Sequence, residues 1–462
     1  TIESLAAHID AAEKGLSLPK IERTEHSGKI PLSYSQERLW FIDRLEGSTH
    51  YHIPAAMRMT GKLNLSALEN AFLAVINRHE VFRSVIIEED GEAFQSVQSA
   101  ENWSLVIEDG ARFYKNSASL NGYIRQLINR PFNLEKDFML RANLLKLAED
   151  EYVIVVTMHH IASDGWSISI IVKELIEYYR CFEARIESSI PELPVQYADY
   201  AIWQRTHLHG RILNQKLKYW TLKLKDVAPL ELHTDFARPA LLGTSGESSN
   251  FNIDKTLTED LNEFSKEQGT TLFMTLLAAF KVLLHRYSRQ NDISVGASIA
   301  NRPLQEIEGL IGFFVNTLTL RSEIRDDQSF AEVLESVKTT TLEAYQHQDV
   351  PFEKVVEAVV KDRDPSRSPL FQVMLVLRNT PEAGQIKLGE VELSGEGYKP
   401  TISKFDITLH HNETPNGISI LAEYATDLFT ESTISGMVNH YREILQSVTT
   451  NPNQKIEEIG LV

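Results

Sequence analysis

Two adjacent histidines, His159 and His160, are followed after three residues by Asp164 and Gly165. Titratable side chains grouped this closely can move or hold a proton, provided the chain presents them to a common site. The elements on either side decide whether it does. Tyr152-Val153-Ile154-Val155-Val156, just upstream, is a short, β-branched, almost wholly apolar run. Such a run reads as a strand buried on both faces. Downstream, residues 167–186 carry Ile168, Ile171, Val172, Leu175, Ile176 and Tyr179 at i, i+3, i+4 spacing, an amphipathic helix. The histidines therefore stand where a buried strand ends, and an Asp-Gly turn leads from them into a helix.

Successive side chains on a strand point to opposite faces, so His159 and His160 cannot easily share one cavity. One is expected to pack or hydrogen-bond inside while the other faces a ligand. The same divergence argues against a metal, since adjacent strand residues chelate one ion poorly and no third ligand stands at a familiar spacing. Asp164 is close enough to turn back on the motif, and a buried carboxylate needs a partner, usually arginine. Gly165 permits positive φ and leaves no side chain in the way of a bound group.

The chain has 462 residues, 42% hydrophobic and 24% charged, with a net charge of −18. That composition is ordinary for a globular protein, and the length suffices for two cores. Nucleic-acid binding is not expected without a basic face. One cysteine, Cys181, falls inside the helix after the motif, where it reads as a reduced core thiol of a cytoplasmic protein. The sequence reads without a signal peptide or an apolar run long enough to span a bilayer, so neither a leader nor a spanning helix is expected. The sequence opens at Thr1 rather than Met, as expected of a segment excised from something larger.

His159-His160-x-x-x-Asp164-Gly165 resembles the HHxxxDG signature of the condensation domains of nonribosomal peptide synthetases, which belong to the chloramphenicol acetyltransferase-like acyltransferases. Six further stretches resemble the family's other motifs, in the family's order. Pro31-Leu32-Ser33-Tyr34-Ser35-Gln36-Glu37-Arg38-Leu39-Trp40 is similar to the first, a helix start with Ser33 or Ser35 as N-cap. Asn77-Arg78-His79-Glu80-Val81-Phe82-Arg83 is similar to the second, with Phe82 at its leucine position. Tyr197-Ala198-Asp199-Tyr200-Ala201-Ile202-Trp203 corresponds to the fourth, Ile311-Gly312-Phe313-Phe314-Val315-Asn316-Thr317 to the fifth, His347-Gln348-Asp349-Val350-Pro351-Phe352-Glu353 to the sixth, and Arg363-Asp364-Pro365-Ser366-Arg367-Ser368-Pro369-Leu370 to the seventh.

Between these stretches the periodicity predicts a helix over 64–77, a strand over 84–87, helices over 257–268 and 272–287, and strands over 293–299 and 371–377. A hairpin joins 405–411 to 417–424, and a last helix covers 431–448. A second pair, His410-His411, lies within that hairpin with no Asp-Gly and no helix after it, and reads as strand packing.

The resemblance implies an α/β (α+β) fold. Two chloramphenicol acetyltransferase-like lobes would form a V-shaped pseudo-dimer around a central tunnel. The lobes would span residues 30–190 and 191–462, the second including crossover elements. Residues 15–29 read as a linker, and residues 1–14 resemble the last helix of an upstream carrier (thiolation) domain. His160 would be the catalytic residue, with His159, Asp164 and Gly165 completing the motif. Arg83 would form a structural salt bridge with Asp164. Ser167, Trp203 and Asn316 would line the tunnel and contact substrate.

The implied reaction is attack of an acceptor aminoacyl-thioester amine on a donor acyl or peptidyl thioester. Both would arrive on phosphopantetheine arms of partner carrier domains beside an adenylation domain. No cofactor or metal would be bound by the domain itself. A heterocyclisation domain would carry a DxxxxD motif instead of the histidines. The stretch Asp164-Gly165-Trp166-Ser167 and the fifth to seventh motifs favour condensation over epimerisation, and the carrier-like tail favours elongation over a starter domain acylating with a fatty acyl group. Two other classes remain alongside: a non-catalytic recruiting domain of this fold, which typically lacks the His motif, and a free-standing acyl-coenzyme A acyltransferase. A need for carrier-bound donor and acceptor discriminates them.

Overall fold

The apolar run at 152–156 becomes the middle of the strand Glu151–His159, in a computed structural model that describes residues 19–25, 29–378, 387–396 and 401–461. Nearly all its side chains are buried, as expected of a central strand. It pairs antiparallel with His52–Thr60 on one side and Leu140–Ala148 on the other. Val106–Asp109 extends that six-stranded sheet at one edge, and Val391–Gly395 and Lys387–Leu388 extend it at the other. The helices Leu65–Arg78 and Gly165–Ala184 lie against each other and bury apolar stripes in the first core.

The second sheet also has six strands, in the order Asn316–Glu323, Asp292–Ile299, Val373–Arg378, Ile407–Thr414, Gly417–Ala425 and Gly246–Asp254. Its core is filled by the helices Lys255–Glu267, Leu272–Ser288, Phe330–Gln346 and Glu431–Thr450. The two lobes repeat one unit. In the first, the hairpin Leu140–Ala148 and Glu151–His159 runs into Gly165–Ala184; in the second, the hairpin Ile407–Thr414 and Gly417–Ala425 runs into Glu431–Thr450. This is the mixed α/β architecture of two chloramphenicol acetyltransferase-like lobes.

The second half of the chain enters the first lobe repeatedly. Val391–Gly395 adds antiparallel to His52–Thr60, with Glu392 opposite Thr60. Ile307, Leu310, Ile311 and Phe314 are buried in the first core. The helix Tyr197–His207, which the sequence boundary at 191 assigns to the second lobe, also buries Tyr197, Tyr200 and Trp203 there. Ser33 caps the helix Tyr34–Glu46 in a capping box with Gln36, which decides between Ser33 and Ser35. The carrier-like helix expected at 1–14 lies outside the described residues. Of the linker at 15–29, the described part is held down. Thr24 donates to Asp199 Oδ1 through N and Oγ1, at 2.8 and 2.7 Å, and Ile21 is buried.

The second histidine pair lies in the hairpin strand Ile407–Thr414, where the sequence reading puts it, and the strand alternation splits it. His411 is buried in the second core, edge-on to Tyr441 at 5.7 Å. His410 points to the other face, beside Arg378.

Candidate active site

Strand alternation also separates the first pair. His159, the last residue of its strand, turns inward and is wholly buried. Its Nδ1 accepts from Ile161 N at 3.0 Å, so Nε2 carries the proton and donates to Ser48 Oγ at 2.8 Å, which in turn donates to Asp43 Oδ1 at 2.5 Å. His52 and Phe132 present ring edges to it. Burial, then the nearby His52, hold its pKa well below the ordinary histidine value. His159 is thus a neutral structural residue with both nitrogens in use.

His160 points the other way. Its backbone N–H donates to Tyr51 O at 2.9 Å, which fixes the turn. Its ring meets Phe313, from the second half of the chain, edge-on at 4.7 Å, and Tyr51 at 6.4 Å. Nδ1 is enclosed and has no hydrogen-bond partner. Burial first, and then the charge of Lys404, lower its pKa to about 4, against an upward pull from Asp164. A neutral imidazole beside two aromatic rings is equipped to accept a proton or a hydrogen bond from something not yet bound.

Asp164 builds the turn. It caps the helix Gly165–Ala184, Oδ1 accepting from Ser167 N at 2.9 Å and Ser167 Oγ at 2.8 Å. Oδ2 accepts from Phe314 N at 3.0 Å and Val315 N at 3.1 Å. The arginine beside it is Arg302, whose Nη2 reaches Oδ1 at 3.1 Å. Arg302 also donates to Ile307 O and Leu310 O at 2.8 and 2.6 Å, and its guanidinium lies 4.1 Å from the Phe314 ring centre. The expected Arg83–Asp164 pair does not form. Arg83 donates to Gln98 O at 2.8 Å and Asn77 O at 3.2 Å and pairs with Glu80, so it braces the turn before the strand Ser84–Glu89.

Its neighbours in that motif do reach the active-site helix. Arg78 Nε and His79 Nε2 bind the two oxygens of Glu174 at 3.0 and 2.8 Å, locking Leu65–Arg78 to Gly165–Ala184. Arg302 was missed because Asn301-Arg302-Pro303 matches none of the motifs read from the sequence. Its signal was a lone cation just past the end of a buried strand, followed by a proline.

Three residues expected to meet substrate are occupied by the protein itself. Ser167 Oγ contacts Asp164, Arg302 and both the N–H and C=O of Gly312, and is wholly buried. Asn316 donates to Gln348 O and Val350 O, both at 2.8 Å, and accepts from Phe352 N at 3.0 Å. It clamps the loop before the helix Phe352–Val359. Trp203 donates to Pro19 O at 2.7 Å and stacks on Tyr200, so it anchors the linker. These are corrections: Asn316 and Trp203 bond backbone brought from elsewhere, and Ser167 bonds the Asp164 and Arg302 side chains and the Gly312 backbone. Gly165 does not use positive φ, being the first residue of the helix. A methyl group there would meet only open space. Gly312 is the constrained glycine, since a Cβ would collide with the Tyr197 ring, whose hydroxyl donates to Phe313 O at 2.8 Å.

Lys404, also missed, lies on the His160 side. Its Nζ stands 4.2 Å from the centre of the Tyr51 ring. Among the described residues, no three His, Cys, Asp or Glu side chains gather as a metal site would require.

This geometry belongs to a known class. Residues 26–462 match the family described as Condensation domain, and the chain belongs to that family, the amide-forming domains of nonribosomal peptide synthetases. It is 42% identical to a linear gramicidin synthase protein of Brevibacillus parabrevis, over 98% of this chain and 6% of that protein. It is 36% identical to gramicidin S synthase 2 of Aneurinibacillus migulanus, over all of this chain and 10% of the relative. The chain thus spans only a small part of these curated relatives. An X-domain from teicoplanin biosynthesis, solved in complex with OxyB, superposes with a TM-score of 0.87 at 26% identity, covering 97% of this chain and 99% of that one. A four-domain nonribosomal peptide synthetase bound to AMP and glycine gives 0.84 at 23% identity, covering 97% of this chain and 35% of that one.

Proposed function

We propose that this chain is an elongation-type condensation domain. The amine of an aminoacyl group on one carrier attacks the thioester carbonyl of an acyl or peptidyl group on another, releasing the donor carrier's thiol. The observation that carries the reading is His160: neutral, turned away from His159, and framed by Tyr51 and by Phe313 from the second half of the chain. Phosphopantetheine arms supply both substrates, and the partners are upstream and downstream carrier domains and an adjacent adenylation domain of a cytoplasmic synthetase. No helix among the described residues is long and apolar enough to cross a membrane.

Magnitudes divide the work. An α-amine has a pKa of about 8, so a useful fraction is unprotonated near pH 7. Holding two reactants in register contributes roughly 7–11 kcal/mol, whereas general-base help is worth about 10²–10⁴-fold. Positioning therefore dominates and His160 adds to it. Asp164, with both oxygens committed to the turn, Arg302 and two backbone amides, serves architecture.

The test is to load donor and acceptor carriers with defined aminoacyl groups and identify the product by mass spectrometry. An amide on the acceptor carrier is expected. Product from acyl-coenzyme A and a free amine, with none from the carriers, would replace this reading by that of a free-standing acyltransferase. Product from a fatty acyl donor alone would replace elongation with the starter type.

A further inference from the structure

Two residues from the second half of the chain come up to the His160 side: Phe313, whose ring meets the imidazole, and Lys404, which reaches the Tyr51 ring. The Lys404 backbone is held rigidly. Ser403 N donates to Thr244 O at 3.0 Å and Ser403 Oγ to Phe405 O at 2.7 Å. Gly246 packs so closely that a Cβ would collide with Ser403 N. Two residues on, Asp406 is buried and accepts from Arg238 Nη1 at 3.1 Å. Phe405 packs against Phe371 at 5.1 Å. Between these anchors the Lys404 side chain leaves its own lobe, half-buried, and lays its ammonium on the Tyr51 ring. Tyr51 is the residue whose carbonyl fixes the His160 backbone and whose ring edge faces the imidazole.

A lysine so placed is normally explained by a carboxylate. Among the described residues none lies within ion-pair distance of Lys404. Arg38, on Tyr34–Glu46, opposes its charge, and Glu423, on the neighbouring strand, attracts it from beyond contact. Glu423 stands instead 3.8 Å from His410 Nε2. On the first lobe the groups that feel Lys404 are His50, His159 and His160, all pushed towards neutrality. A half-buried cation with three donors, no anionic partner among the described residues, and neutral histidines on the facing lobe leaves room for a negative charge that exists only during reaction.

We propose that Lys404 is a catalytic residue that receives the charge developing on the donor carbonyl oxygen. As the acceptor nitrogen bonds to the thioester carbon, the carbonyl π pair moves onto oxygen, and Lys404 stabilises that oxyanion by charge and hydrogen bonding. The nitrogen's surplus proton passes to His160. Collapse of the oxyanion re-forms the carbonyl and breaks the C–S bond, and the departing sulfur takes the proton from His160. No external oxidant, reductant or metal enters the balance. This inference rests on the thioester reading above.

Burial brings the Lys404 pKa down to about 8, so pH offers a second handle. The cation is present below that value and is lost as pH rises through it.

The experiment is single-turnover amide formation between preloaded carriers on the full chain, for wild type, Lys404→Met and Lys404→Arg, beside thermal melts. Lys404→Met is expected to lower the rate at saturating carriers by about 10²-fold, leaving the half-saturating concentrations unchanged. Lys404→Arg should restore much of the rate and remove the alkaline fall expected of wild type above pH 8. A Lys404→Met rate near wild type overturns the proposal. So does a change confined to half-saturation, which would make Lys404 a binding contact. Should Lys404→Met melt markedly lower, the wild-type profile decides, and a rate still rising past pH 9 overturns it. Failure of the thioester reading looks different, because wild type itself would then form no amide from loaded carriers.

Discussion

Arg302 Nη2 lies 3.1 Å from Asp164 Oδ1, and the two side chains are only 2% and 1% exposed. The pair joins the turn after His160 to a segment far along the chain. Removing one partner of such a buried pair leaves the other charged and unmatched, at a cost of about 3–5 kcal/mol. Asp164→Ala is therefore expected to lower thermal stability and soluble yield along with activity, and Arg302→Met to do the same. In a double-mutant cycle, Asp164 should couple strongly to Arg302 and hardly at all to Arg83. Strong coupling to Arg83 instead, or an Asp164→Ala protein that melts like wild type yet does not turn over, would contradict the assignment of Asp164 to scaffold.

Asn316 provides a second test of what is architecture. Its amide satisfies Gln348 O, Val350 O and Phe352 N, all from one loop. Asn316→Ala strands these backbone groups, at a cost of about 1–3 kcal/mol for the buried share. The melt should fall, while the condensation rate per folded molecule stays close to wild type. A normal melt with a raised half-saturating carrier concentration would return Asn316 to the substrate path.

The reach of the sequence follows from range. The strand, the Asp164 cap and the helix behind it were legible because their period and spacing are local. So was the divergence of the histidines, a property of any strand. The partner of Asp164 was not, since Arg302 lies 138 residues away and arrives only when the lobes dock. Ser167, Trp203 and Asn316 had the right polarity for a substrate path, but the sequence could not show that Gly312, Pro19 and Gln348 would reach them first. Lys404 had no local signal, because its meaning depends on Tyr51 from the opposite lobe.

Buried neutral histidines set an acid limit. His159 is held well below the ordinary value and His411 is lowered to about 3, in both cases chiefly by burial. In the unfolded chain both protonate near pH 6.5, while the folded protein leaves them neutral. Below 6.5 the unfolded state thus binds more protons, and stability falls as pH is lowered. The slope approaches about 1.4 kcal/mol per pH unit for each such histidine. It continues until the folded-state values are reached, near 3 for His411. Denaturant titrations between pH 6.5 and 5, above the carboxylate range, should show this loss, and His411→Leu should flatten it. A wild-type stability constant across that interval would refute the reading.

Metal removal should change nothing. His159 is committed to Ser48 and Ile161, so it cannot join His160 around an ion. Full condensation activity is expected after exhaustive chelation and dialysis, and a loss restored by zinc would count against the proposed site.

The two histidines themselves should separate most sharply. His160 stands beside Phe313 and Tyr51, so truncating it removes a base or hydrogen-bond acceptor without breaking a protein contact of comparable strength. His160→Ala is expected to slow single-turnover amide formation by about two to four orders of magnitude, with the melt and carrier docking preserved. The loss should shrink with an acceptor whose amine is less basic, since less proton removal is then needed before attack. His159→Ala should act oppositely. It empties a wholly buried site, orphans Ile161 N, takes away the donor to Ser48 Oγ, and should cost about 3 kcal/mol of stability. Its rate per folded molecule should fall far less, because His159 meets the site only through the strand it ends. Both substitutions belong in one series, with melts beside preloaded-carrier turnover. A stable but inactive His159→Ala beside a near-normal His160→Ala would mean that the ring facing the substrates is His159.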